Sequence, residues 1–253
     1  RSFDSLFARL EKSFHAERQF TSDASHELRT PITVILAECD RARRKCETKE
    51  DFLQSITVIE EQGQRMSHLV QELLGLTRLQ QGTTRYPLQK ADLSGFAAAC
   101  CEEFMPADDR GITLTTDIQP EVQATFNPSL MQRALYNLLQ NAYKYGRPGG
   151  HITVTVRPEG RGAAISVADD GIGMTDEFRE HLFEPFAQAN DDARSNYQGT
   201  GMGMPIVKAL LKSMGGTISV KSELGRGTTF TVDLPFVINR TPEKAVEASA
   251  DAE

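Results

Sequence analysis

The densest chemistry in the sequence lies in Ser25-His26-Glu27-Leu28-Arg29-Thr30-Pro31. A free imidazole near pH 7 is largely neutral and nucleophilic through one ring nitrogen. Glu27 follows His26 directly and can orient one nitrogen, or take its proton, while the other attacks an electrophile such as phosphorus. Thr30 stands one helical turn beyond His26, so its hydroxyl shares that face. Pro31 is costly inside a helix, at ~3 kcal/mol or more, because it removes a hydrogen bond and crowds the preceding turn. It predicts a Glu27 carbonyl without its usual partner and a bend just after His26. Strain at such a place is a reason to look for function. A lone histidine on a charged helix face is more often only solvated; His15 and His68, which lack such neighbours, are read that way.

Four further segments suit a nucleotide. Asn137, Asn141 and Lys144 are spaced by four and three, so one helix face offers amide oxygens and an ammonium together. A hard cation such as Mg²⁺ takes oxygen ligands, and Lys144 can meet a phosphate as a point charge. Read alone, that face is also an ordinary solvated one. Asp169-Asp170-Gly171-Ile172-Gly173-Met174 follows the apolar run 163–168. Its glycines allow close backbone approach to a ligand, and its first aspartate can accept from an exocyclic amine, although D-G is also a common turn pair. Phe183-Glu184-Pro185-Phe186 serves packing as readily as function. Gly199-Thr200-Gly201-Met202-Gly203-Met204 opens a helical run, and amides at a helix start cradle phosphate. Residues 187–198 between the last two segments contain Asn190-Asp191-Asp192 and no apolar periodicity, which predicts a mobile lid. Arg194 within it is read as solvated, in reach of a terminal phosphate. Neither glycine string is a P-loop or a dinucleotide fingerprint.

In this order the five segments resemble the H, N, first glycine, F and second glycine boxes of sensor histidine kinases, over residues 3–235. The resemblance implies His26 as phospho-acceptor, Glu27 assisting autophosphorylation, and Thr30 positioning water when phosphate is removed from a partner. It implies Asn141 as the Mg²⁺ ligand, with Asn137 and Lys144 supporting the phosphates and Tyr145 lying against the nucleotide. Asp169 would recognise the adenine amino group, Gly171 and Gly173 would shape its pocket, and Gly199, Gly201 and Gly203 would cradle the phosphates. Asp170 occupies a variable position and receives no base contact. Phe183 and Phe186 would hinge and support the lid. Met202 and Met204 stand where the family often has leucine, a soft apolar exchange. ATP and Mg²⁺ are the implied cofactors, and the receiver domain of a response regulator, carrying the acceptor aspartate, the implied partner. The catalytic fold would be that shared with gyrase, mismatch-repair and heat-shock chaperone ATPases. A mechanical ATPase of that fold would release phosphate to water and form no phosphoprotein; the H-E-L-R-T-P segment argues against it. A non-catalytic signalling scaffold would show decay at the Asn, Asp or Gly positions, and none is seen.

These residues need elements to hold them. Phe3, Phe7, Leu10 and Phe14 begin a heptad seam, and residues 3–45 read as one helix. A second helix over 51–80 has the seam Phe52, Ile56, Ile59, Gly63, Met66, Val70 and Leu73. A short polar link joins them, so residues 1–81 read as an all-α helical hairpin, with two copies completing a four-helix bundle as a homodimer. Gly82-Thr83-Thr84 marks a linker on which the rest would swing. Residues 85–236 alternate between strand and helix signals and predict an α/β sandwich with helices on one face of a mixed sheet. Asp92 and Asn127-Pro128 are helix starts at 93–105 and 128–143. Strands are expected at 112–118, 122–126, 152–157, 163–168, 217–222 and 228–234, and helices at 175–183 and 204–214. Residues 237–253 are polar and acidic and read as a disordered tail.

Composition narrows the classes. The 253 residues suit two domains, and a formal net charge of −7 leaves no electrostatic footprint for nucleic acid. Cys39, Cys46, Cys100 and Cys101 have no metal-site spacing and read as reduced thiols of a cytosolic protein. No apolar run approaches the ~20 residues needed to span a bilayer. The absence of an initial methionine and the heptad at the start predict a fragment; by resemblance it is the cytoplasmic part of a sensor anchored in the inner membrane by an upstream segment.

Overall fold

The computed structural model describes residues 2–81, 86–106, 110–160, 162–188 and 199–236. The Gly82 linker, Arg194 with all but the first two lid residues, and the tail 237–253 fall outside the described residues.

Helix α1 (Ser2–Arg44) and helix α2 (Lys49–Gln81) form the hairpin. Arg41, Arg43 and Arg44 in the last turn of α1 meet the negative end of its dipole. Thr48 starts α2 with a reciprocal cap: its hydroxyl accepts from the Asp51 amide at 3.2 Å, while Asp51 Oδ2 accepts from the Thr48 amide at 3.2 Å and hydroxyl at 2.8 Å. The Arg41 guanidinium donates to Gln54 Oε1 at 3.0 Å across the turn. The helix runs unbroken through Pro31, whose side chain is buried.

Helix α2 has two working faces. Leu69, Glu72 and Leu76 are buried, and the two leucines belong to the same apolar cluster as the core of the second domain. On the seam read from the heptads, Phe52, Ile56 and Val70 stay exposed in the single chain, as do Phe7 and Phe14 of α1.

The second domain holds β1 (Gln89–Asp92), α3 (Leu93–Glu103), β2 (Thr113–Ile118), β3 (Gln123–Phe126), α4 (Pro128–Tyr145), β4 (His151–Glu159), β5 (Gly162–Asp169), α5 (Asp176–His181), α6 (Gly203–Ser213), β6 (Thr217–Glu223) and β7 (Gly227–Pro235). Five strands order as β2-β4-β5-β7-β6; β2 and β4 run parallel and the other pairs antiparallel. Strand alternation puts Val154, Val167 and Phe230 in one cross-strand row and Val156, Ile165 and Val232 in the next. These six are buried in one cluster with Leu135, Leu138 and Leu139 of α4 and Ile206, Val207 and Leu210 of α6. Thr153, Thr155, Ser166 and Thr231 alternate to the other face and are only partly buried.

The expected caps are present. Asp92 Oδ1 accepts from the Ser94 amide at 3.0 Å, and Asn127 Oδ1 from the Leu130 amide at 3.1 Å with Pro128 in the first turn. No sequence signal marks β1, a mostly polar segment that becomes a strand by pairing with β3.

Candidate functional site

Helix α4 presents Asn137, Asn141 and Lys144 toward the second glycine segment. Lys144 Nζ lies over the Tyr145 ring, 4.9 Å from its centroid, and beside Gly199, where a Cβ would come within 2.5 Å of it. Asn141 Nδ2 donates to Met204 Sδ at 3.0 Å, which leaves its Oδ1 as the acceptor. Asn137 Nδ2 donates to the Arg133 carbonyl at 2.8 Å, and its Oδ1 faces Gly203, where a Cβ would sit at 3.2 Å. The N-cap residue of α6, Met202, provides no side-chain cap, and its own amide donates to the Thr200 hydroxyl at 3.3 Å.

The last turn of α4 is held by Arg110, which no sequence motif marks. The Arg110 guanidinium donates to the carbonyls of Tyr143 at 2.7 Å, Lys144 at 2.9 Å and Gly146 at 2.9 Å, and the Arg110 amide donates to Tyr143 Oη at 2.9 Å. Carbonyls at a helix end lack partners within the helix, and a guanidinium fork supplies several at once.

The first glycine segment is stitched to this end of α4. The Ile172 amide donates to the Tyr145 carbonyl at 3.1 Å, and the Gly225 amide to the Ile172 carbonyl at 2.8 Å. Gly173 has φ +64° and packs so closely on the Glu223 carbonyl that a Cβ would overlap it. Asp169, at the end of β5, accepts from the Gly171 amide at 2.9 Å. Burial pushes the Asp169 carboxyl up to about 6; hydrogen bonds from the Gly171 and Thr228 backbone oppose the shift, and the charge of Asp170 adds to it.

The F segment packs against α1 and the second glycine segment. Phe186 has φ +64°, rare for a bulky residue, and its ring lies 5.7 Å from that of Phe20 on α1. Gly201, at φ +69°, packs against Phe186, where a Cβ would come within 2.6 Å of the backbone. Lys208 Nζ lies 5.2 Å from the centroid of the Phe183 ring.

These parts enclose a cavity of about 860 Å³. Of the expected nucleotide residues, Asn141, Lys144, Tyr145, Gly173, Gly199, Gly201 and Gly203 line it. Asn137, Asp169 and Gly171 are not among its lining residues. The hairpin forms one side: Thr30 of α1 and Glu61, Gln64, Arg65 and His68 of α2 also line the cavity. His26 and Glu27 are not among the lining residues. His26 is exposed on α1, and the Thr30 hydroxyl donates to its carbonyl at 3.3 Å. Glu27 Oε2 is 4.0 Å from the Arg65 guanidinium. Burial, and after it the positive charge of Arg65, lowers the Lys144 pKa below its ordinary value.

Polar contacts fix the hairpin against the second domain. The Thr200 hydroxyl donates to Glu72 Oε2 at 2.7 Å, and His68 Nδ1 lies 3.5 Å from the same oxygen. Gly75 of α2 leaves room for Arg133 of α4, whose guanidinium would be 3.1 Å from a Cβ there. No motif marks Glu72, Arg65 or Gly75; the only sequence signal is the spacing of Leu69, Glu72 and Leu76, a second stripe on α2.

Comparison with known proteins places both domains. The family model of the His Kinase A (phospho-acceptor) domain matches residues 16–82. That of the histidine kinase-, DNA gyrase B-, and HSP90-like ATPase matches residues 126–238. Sensor histidine kinase RppB of Synechocystis sp. is 34% identical over 228 residues, covering 89% of this chain and 50% of RppB. The chain spans about half the length of the first curated relatives it matches. Full-length ShkA, solved in complex with AMPPNP, aligns with a TM-score of 0.60 at 27% identity over 87% of this chain and 46% of that one. Histidine kinase ThkA, solved with response regulator protein TrrA, aligns with a TM-score of 0.72 over 90% of this chain and 64% of that one, and at 20% identity it shows the shared fold. With a phospho-acceptor hairpin followed by an ATPase domain, and with these relatives matched over most of its length, the chain belongs to the sensor histidine kinase family.

Proposed function

We propose that this chain binds ATP in the cavity between its two domains, phosphorylates His26, and passes the phosphoryl group to an aspartate of a response regulator. The observation that carries this reading is the shared wall: Thr30, one turn beyond His26, lines the same cavity as Asn141, Lys144 and the second glycine segment. An imidazole nitrogen of His26 attacks the γ-phosphorus. The N–P bond forms, the bond to the ADP oxygen breaks, and Glu27 takes the imidazole proton. Lys144 and the backbone amides of the second glycine segment hold the phosphates, and positioning supplies most of the rate. Asn137 supports the α4–α6 contact, Tyr145 lies along the nucleotide, Gly171 and Gly173 shape the base pocket, and Asp169 accepts from the adenine amine.

The donors present suit Mg²⁺: Asn141 offers one amide oxygen beside the phosphate end, and phosphates and water complete a shell of hard oxygens. When bound, Mg²⁺ neutralises charge on the phosphates. Thr30 is suited to orient water for removal of phosphate from the regulator. The exposed apolar side chains Phe7, Phe14, Phe52, Ile56 and Val70 support a second copy completing a four-helix bundle. Among the described residues, no helix is long and apolar enough to cross a membrane.

The test is incubation with Mg²⁺ and γ-labelled ATP, followed by acid and alkali. Label stable to alkali, lost in acid and absent from His26→Ala is expected, with nucleotide binding retained in that variant. Thr30→Ala should keep labelling and slow dephosphorylation of the regulator. Phosphate released to water with no labelled protein would overturn the reading.

A further inference from the structure

Arg65 has no part in the roles assigned above. It belongs to the hairpin, yet it lines the nucleotide cavity of the other domain. On one side its guanidinium lies 4.0 Å from Glu27 Oε2, the carboxylate next to the phospho-acceptor. On the other it is close enough to the Lys144 ammonium for its charge to act on that group. Lys144 in turn stands beside Gly199, at the end of the cavity suited to phosphates.

Two cations supplied by separate domains thus converge on one cavity. They repel each other across it, and an anion between them turns that repulsion into two attractions. A guanidinium presents a fork of donors that matches phosphate oxygens. Its separation from Glu27 is at the limit of an ion pair and too long for a hydrogen bond. The other α2 residues on the cavity wall are less suited. Gln64 is uncharged, Glu61 is anionic, and His68 is drawn to Glu72.

We infer that Arg65 is the hairpin's own ligand for the terminal phosphate of the bound nucleoside triphosphate, and that it ties docking of the two domains to the presence of that phosphate. Arg65 leaves Glu27 as it takes the phosphate, and Glu27 is then free to accept the His26 proton. With a diphosphate bound, Arg65 stays with Glu27. The inference rests on the ATP-dependent kinase reading and adds a residue to it.

The test compares Arg65→Gln and Arg65→Lys with the unaltered full chain. Affinities for ADP and for a non-hydrolysable β,γ-imido ATP analogue are measured with Mg²⁺ by calorimetry. In Arg65→Gln the analogue should bind about tenfold more weakly, while ADP binding stays within twofold. Arg65→Lys, with charge but no fork, should fall between. Retained ADP binding reports an intact pocket in the same sample. An unchanged ratio of analogue to ADP affinity in Arg65→Gln, or an equal loss of both ligands, would overturn the assignment. The ratio is read without phosphoryl transfer, so it decides the role of Arg65 even where the unaltered chain takes up no label, a result that sinks the kinase reading by itself.

Discussion

Asp169→Asn should make the unliganded protein more stable and the nucleotide complex weaker. In the fold, burial raises the Asp169 carboxyl from an ordinary 3.8 to about 6. A shift of roughly two units corresponds to roughly 3 kcal/mol held against the carboxylate form, at ~1.4 kcal/mol per unit. Below pH 3.8 the group is neutral in both folded and unfolded chains and contributes no pH-dependent term. Between 3.8 and about 6 the unfolded chain ionises while the folded one keeps its proton, so stability falls as pH rises. Above that window the full penalty is present. Asparagine has no proton to titrate, and its Oδ1 can still accept from Gly171 and Thr228. The stability difference, variant minus unaltered chain, should therefore grow from pH 4 to 6 and level off at about 1–3 kcal/mol in favour of the variant, since its amide must find a partner. Urea unfolding of both proteins from pH 4 to 8 measures this, because other carboxylates cancel in the difference. ADP affinity should drop about tenfold or more in the variant, and in the unaltered chain it should decline as pH falls below 6. A difference independent of pH, or a variant less stable at pH 8, would refute the reasoning; the two backbone hydrogen bonds would then outweigh burial.

Two further substitutions probe the scaffold. Gly173→Ala meets both a positive φ and the Glu223 carbonyl, and should lower stability by at least ~2 kcal/mol with loss of ADP binding, read by thermal unfolding and titration. Thr200→Val removes the hydroxyl that satisfies buried Glu72 and should lower stability by about 1–3 kcal/mol. It should also speed amide exchange along α2 and α6; unchanged exchange would show that the contact does not hold the domains together.

Much of this protein is local and was therefore legible. The heptads of α1 and α2 and the caps at Asp92 and Asn127 each depend on residues a few positions apart. The five segments around His26, Asn141, Gly171, Phe183 and Gly201 could be read for the same reason, because each presents its chemistry within about ten residues. Tertiary structure decided what no local period encodes. Gln89–Asp92 is a strand only because β3 lies beside it, and β5 pairs with β7 across a long stretch of intervening chain. Pro31 lies inside a helix that runs on unbroken, with its ring buried. Arg110 caps α4 from more than thirty residues away, and Glu72 gains the Thr200 hydroxyl from another domain. Side-chain periodicity specifies which face of an element is apolar, whereas the group that meets a given charge is set by how distant elements pack, and that information resides in the closed fold.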